Sequence, residues 1–166
     1  MAKYKLSLED LESPIILGFG IRSTLGPLNL CFALNQLSPI FRFQRYSEDL
    51  YDDFRQHRFF YPVFAVSDPL REIEWRLVHN RSYRGEGQAV PGIDLFTGQT
   101  TPEKNWLNNR EGFNFFLWFE GENQNVSFLH EVKSILSKSN NLGIVKELED
   151  TELNRLNKQI KYYHGL

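Results

Sequence analysis

Four histidines, His57, His79, His130 and His164, are the side chains best suited to metal binding or proton transfer in this 166-residue chain. No pair of them has ligand spacing, and one cysteine, Cys31, does not build a thiolate zinc site. His130 falls between Leu129 and Val132 of an amphipathic run and reads as a boundary residue. Cys31 lies in an apolar helical stretch, without the neighbouring cation or helix start that activates a thiol. Carboxylates pair at Asp52/Asp53 and Glu72/Glu74. Glycosidase-type acid–base work needs two carboxyls at a set separation in a cleft; here they read as a solvated loop and a solvated strand face. Gly85-Glu86-Gly87 and Gly18-Phe19-Gly20 both lack the third glycine of a dinucleotide loop. There is no Gly-x-Ser-x-Gly nucleophile elbow. No catalytic residue, metal ligand or cofactor is assigned, and the enzyme question is left open, leaning against.

Nucleic acid is the next candidate. Arg42 and Arg45 alternate with Phe41 and Phe43, the mixture of cations and rings that single-strand binders use. Glu48, Asp49, Asp52 and Asp53 follow at once and offset them, and the formal net charge is -2. Such binding rests on clustered Lys and Arg neutralising phosphates, so nucleic acid is not expected as a partner. The densest apolar run, Phe113-Asn114-Phe115-Phe116-Leu117-Trp118-Phe119, falls far short of the roughly 20 residues that a helix needs to cross a bilayer, so no membrane is expected. A polar start, Met1-Ala2-Lys3-Tyr4-Lys5, and a lone cysteine point to a cytoplasmic, reducing compartment. There the triplets Asn80-Arg81-Ser82 and Asn125-Val126-Ser127 carry no glycosylation.

The elements that would position these groups follow from periodicity. The aromatic run, closed by Glu120-Gly121, reads as a central strand covered on both faces. Lys3 to Leu11 reads as a short edge strand or an arm, and Ile15 to Ile21 as a strand. Gly18 and Gly20 strip the side chains from one face of that strand, which admits a closely packed helix first and a ligand second. Ser23-Thr24 and Gly26-Pro27 are helix-start signals, and Leu28, Cys31, Phe32, Ala33 and Leu34 form the apolar stripe of a first helix ending at Ser38-Pro39. Ile40 to Tyr46 alternates as a half-buried strand, and Glu48 to Asp53 reads mostly as a solvated loop. Phe59 to Val66 and Arg71 to Val78 read as a hairpin about Asp68-Pro69. Asn80 to Gly112 is a long irregular stretch, with room for short structure at Gly92 to Phe96. A helix capped by Asn125 carries Phe128, Leu129, Val132, Ile135 and Leu136, and stops at Asn140-Asn141-Leu142-Gly143. Ile144 to Leu148 reads as a short strand, and a last helix from Asp150 or Thr151 aligns Leu153, Leu156 and Ile160.

The expected architecture is one α+β domain over 1–166: a mostly antiparallel sheet of four to six strands, two main helices on one face, ferredoxin-like with an inserted hairpin. Several stretches, namely Lys5-Leu6-Ser7-Leu8, Leu17-Gly18-Phe19-Gly20-Ile21, Leu30-Cys31-Phe32-Ala33-Leu34-Asn35, Thr101-Pro102-Glu103 and Phe113-Asn114-Phe115-Phe116-Leu117, together resemble the small bacterial IPExxxVDY family. Thr101 stands where that family has Ile, and Phe113-Asn114-Phe115 where it has Val-Asp-Tyr. The resemblance implies no activity and no catalytic residues. The second half, from Phe115 through the last strand, is similar in pattern to ACT-type regulatory domains, ferredoxin-like modules that bind amino acids or mediate dimer contacts.

Function is therefore expected to be non-enzymatic: a self-associating binding or protein-interaction module, with a homodimer as the expected assembly, suggested by the 14% aromatic content as much as by the missing motifs. The alternative is a regulatory domain that binds a small molecule near Gly18, Gly20, Ser23 and Thr24. A third reading is an enzyme whose acid–base groups do not show in sequence.

Overall fold

A computed structural model describes residues 15–55, 57–70, 72–87, 103–121 and 126–163. The elements run β1 (Ile15–Arg22), α1 (Pro27–Leu37), β2 (Gln44–Arg45), β3 (Leu50–Phe54), β4 (His57–Tyr61), β5 (Val63–Asp68), β6 (Ile73–His79), β7 (Arg84–Gly87), β8 (Phe115–Gly121), α2 (Val126–Ser137), β9 (Ile144–Glu147) and α3 (Asp150–Tyr163). A turn of 3-10 helix, Asn140–Leu142, joins α2 to β9. The fold class is α+β, with a six-stranded antiparallel sheet in the order β2-β5-β6-β8-β1-β9 and a second sheet of order β3-β4-β7.

The aromatic run is the interior strand β8, between β6 and β1. Successive side chains of a strand point to opposite faces. Phe115, Leu117 and Phe119 enter one core and Phe116 and Trp118 the other, each at most 1% exposed. The first core is roofed by α1, through Leu30, Cys31 and Leu34, and by α2, through Phe128, Val132 and Leu136. Its rings interlock, with Trp75 4.5 Å from Phe119 and Phe119 5.7 Å from Phe128 between centroids. Two helices on one face is the expected arrangement. β1 and β6 both run antiparallel to the strand between them, β8, and β9 lies beyond β1. That split βαβ order is consistent with a ferredoxin-like plan.

The other face is covered by α3, through Leu156 and Ile160, by Trp106, Leu107 and Phe113, and by Phe59 and Tyr61 of the small sheet. The β1 glycines belong to this face. Gly18 pairs with Trp118 and Gly20 with Phe116, so the bulkiest β8 side chains stand beside positions without any. A methyl group on Gly18 would come 2.7 Å from Leu153 Cδ2 of α3, and one on Gly20 would clash with the Phe113 ring, 2.5 Å from its Cγ. Close packing of a helix against Gly18 is thus met by the last helix.

Several elements depart from their sequence reading. Phe59 to Val66 is two strands in different sheets, because Pro62 has no N–H to donate and fixes its own φ. β5 still makes the expected hairpin with β6. Glu48 to Asp53 is not mainly a solvated loop: Leu50–Phe54 pairs with β4, and Asp52 is buried. The irregular stretch contains a strand, β7, paired to β4. The N-cap of α1 is Gly26, with Pro27 behind it, while the Ser23 hydroxyl accepts from the Leu25 N–H in the preceding turn. On α1, Leu28 and Phe32 point outward and Leu30 points inward. Asn29 and Gln36 are exposed on that same outer side, but an eleven-residue helix without a charge leaves it only weakly polar, so periodicity orients it poorly. The readings over 3–11 and 92–96, the Asn125 cap and His164 lie outside the described residues.

Candidate functional site

The groups with chemical potential are dispersed or engaged. His57 Nδ1 lies 3.0 Å from the Arg55 carbonyl, and His130 is exposed on α2. His79, at the end of β6, packs its ring at a tilt against Phe115 with centroids 4.7 Å apart. Burial, with Arg81 nearby, lowers its pKa. Among the described residues no three His, Cys, Asp or Glu side chains converge as a metal site, and no helix is long and apolar enough to cross a membrane. The Cys31 thiol is buried, contacts the Phe43 carbonyl at 3.5 Å, and is held protonated by desolvation. Gly85-Glu86-Gly87 is part of strand β7 and not a phosphate loop. Of the carboxylates, Asp53 chelates Arg58 with bonds of 2.7 and 2.9 Å, and Glu74 accepts from Arg76 at 2.9 Å.

Asp52 is the exception to a solvated reading. It is 6% exposed and pairs with Lys104, whose ammonium sits 4.6 Å from the Phe54 ring centroid and 5.8 Å from that of Phe59. Nearby Tyr61 is fully buried, and desolvation followed by the Asp52 charge pushes its phenol upward. The pair ties the small sheet to the segment that follows residue 102. That segment is further pinned by Ser82, which donates its N–H to the Lys104 carbonyl and accepts the Lys104 N–H on its hydroxyl.

Three asparagines complete the anchoring. Asn80 donates its amide to the Leu107 and Phe113 carbonyls and accepts the Leu107 N–H at 2.7 Å. Asn109 accepts the Phe113 N–H, and Asn114 makes a two-way bond with the backbone of Ser23. A chain segment lying on a sheet without a ladder of its own needs such partners for its buried backbone groups. Irregular sequence over 80–112 therefore conceals a tightly bonded section at 103–114.

The four residues read as a small-molecule contact separate on this scaffold. Gly18 and Gly20 lie under Leu148, Leu153 and Phe113. Ser23 is buried and bonded to Asn114, and Thr24 is exposed beside it. The space above the glycines is filled by the protein itself.

Among the described residues, two surface features stand out. One is the outer side of α1. Leu28 is 71% and Phe32 63% exposed, one helical turn apart on an element with no charged residue. By contrast α3 carries Asp150, Glu152, Arg155 and Lys158. The exposed Leu28 and Phe32 are legible in sequence only as members of the apolar stripe. The other feature is a cleft where the two sheets meet, with a cavity of about 100 Å³. Leu50 and Val63 give it an apolar wall, Tyr46 and Tyr51 supply rings, and Glu48, Asp49 and Arg76 supply charge. It draws on β3, β5, β6 and the β2–β3 connection, far apart in sequence, so no local motif announces it.

Comparison with protein-family models, with curated proteins and with solved structures finds no match to this chain.

Proposed function

We propose that the protein is a non-enzymatic interaction module that self-associates through the outer side of α1. The observation that carries this reading is the pair Leu28 and Phe32, large apolar side chains left mostly in water on a helix with no charge. Single exposed apolar residues are ordinary; two on one stripe of an uncharged helix are what we read as a small contact surface. The occupant we assign is a second copy of the chain. Two uncharged helices meet about a two-fold axis without like-charge repulsion, and an isologous contact needs only a self-complementary patch. The exposed sheet edge β9 is a poorer route, because its Lys146 and Glu147 already pair with Glu111 and Lys133 and charged edges resist strand addition.

Magnitude fixes the class of contact. Eleven residues of helix span about 16 Å, and at a width of roughly 10 Å present an area on the order of 160 Å². A stable interface takes about 800 Å² per partner, so the dimer is of the weak, concentration-dependent kind. A cytoplasmic, bacterial setting and membership of the IPExxxVDY family belong to the same proposal, on the residues that carry the resemblance.

Sedimentation velocity over about 5 to 500 µM tests it. The wild-type chain should shift from monomer to dimer across that range. The double variant Leu28→Asp/Phe32→Asp should stay monomeric with an unchanged melting temperature. A wild-type protein still monomeric at the top concentration would overturn the reading.

A further inference from the structure

The cleft between the sheets is a separate feature that α1 does not touch. Its volume, about 100 Å³, is small beside the roughly 300 Å³ or more of most small-molecule sites. It therefore receives a head group and not a nucleotide or a whole cofactor.

Charge decides which head group. Arg76 lines the cleft and is the cation an anionic ligand would seek. Its guanidinium already donates to Glu74 and lies in the field of Glu120. Arg45 is likewise spent on Asp49, which also accepts the Tyr83 hydroxyl. Glu48 is exposed on the lining. Glu48 and Asp49 line the cleft with Arg76. With Glu74, Glu120 and Arg45 around them, and with Arg58 over the Tyr51 ring paired to Asp53, carboxylates outnumber guanidiniums and the local balance is negative. Tyr46 is 44% exposed on the lining, and an aromatic ring is a partner for a cation. Leu50 and Val63 offer a surface for a hydrocarbon stem.

The geometry points to a binding site for a primary alkylammonium group. The stem lies along Leu50 and Val63, and the ammonium sits between the Glu48 carboxylate and the Tyr46 ring. A lysine side chain of a partner and a free aliphatic amine present the same chemistry.

Titration of the protein with n-butylammonium chloride, followed by NMR at Tyr46, Leu50 and Val63, tests this. Sodium butyrate is the matched anion. Butylammonium should saturate the shifts in the millimolar range, and butyrate should not bind. Glu48→Gln and Tyr46→Ala should each weaken binding by about three- to five-fold, the size of one exposed cation–π or ion-pair contact. Tyr46→Phe should retain affinity and serves if the alanine variant does not fold. Putrescine and N-acetyl-lysine amide, titrated in parallel, separate the two sources by which binds more tightly. Butyrate binding as well as butylammonium, shifts that stay linear to about 50 mM, or full affinity in Glu48→Gln and Tyr46→Ala would each overturn the assignment.

Discussion

The two faces of the six-stranded sheet are covered in different ways. Under α1 and α2 the core is built of apolar side chains, from Leu17 and Phe19 through Trp75 to Val132 and Leu136. The opposite face also has a ring-rich core, with Trp106 stacked on Trp118 at 5.9 Å. Beside it, however, lie buried Asp52, Asn80 and Ser82. The difference follows from what does the covering. Helices satisfy their own backbone groups, so they need bring only an apolar stripe. An irregular segment such as 103–114 brings unpaired N–H and C=O groups, and amide side chains must meet them. One face is held mainly by non-directional burial, with the two-way bond of Asn35 to the Phe43 backbone as its fixed point, and the other by directional bonds at several points.

Shape-conserving substitutions give the largest test of that contrast. Asn80→Asp keeps the size of the side chain but removes the donors that hold the Leu107 and Phe113 carbonyls. It should cost about 3 kcal/mol, the expense of buried groups left unsatisfied. Leu34→Met on the helical face, at a residue 0% exposed, should cost about 1 kcal/mol or less. Urea unfolding of the two variants measures both, and equal losses would break the comparison.

A smaller effect concerns the Asp52–Lys104 pair. Lys104→Met strands a carboxylate that is 6% exposed. Loss of about 2 kcal/mol is expected, reduced from the fully buried case because the Lys104 side chain is 29% accessible. Adding Asp52→Leu should recover most of it. A double variant less stable than the single one would mean that the pair, and not merely its balance of charge, holds the 103–107 segment to the small sheet.

The smallest effect is a pH dependence confined to His79. Its folded pKa lies below the ordinary unfolded value near 6.5, because burial disfavours the charged ring. The native state binds fewer protons, so the stability that His79 contributes is complete above that value and is lost as pH falls towards the folded pKa. Denaturation midpoints at pH 7 and pH 5 should therefore differ less for His79→Phe than for the wild type. An identical difference would show that other groups govern the slope.

What local periodicity can see was visible in the chain. β1, β6, β8, α2 and α3 follow from alternation or three- and four-residue spacing, since each buries a patterned face. The second sheet was hidden, because β3 is acidic and β7 is rich in glycine, and both depend on β4 for their hydrogen bonds. The candidate contacts were hidden for a similar reason. Leu28 and Phe32 differ from Leu30 and Leu34 only in which way the helix is turned. The cleft gathers residues 46 to 76 from two sheets whose separation begins at Pro62.

The order of amino acids by itself determined that Phe115 to Phe119 would be an interior strand, because rings on both sides of a pleat have no other way to leave water. It also determined the antiparallel α+β plan, through the spacing of apolar residues along each element. Only the tertiary structure decided that Gly18 and Gly20 make room for the chain's own Leu153 and Phe113, and that Asp52 is buried. Those outcomes depend on which distant segment arrives at a surface, and contacts between segments far apart in sequence leave no local period to read.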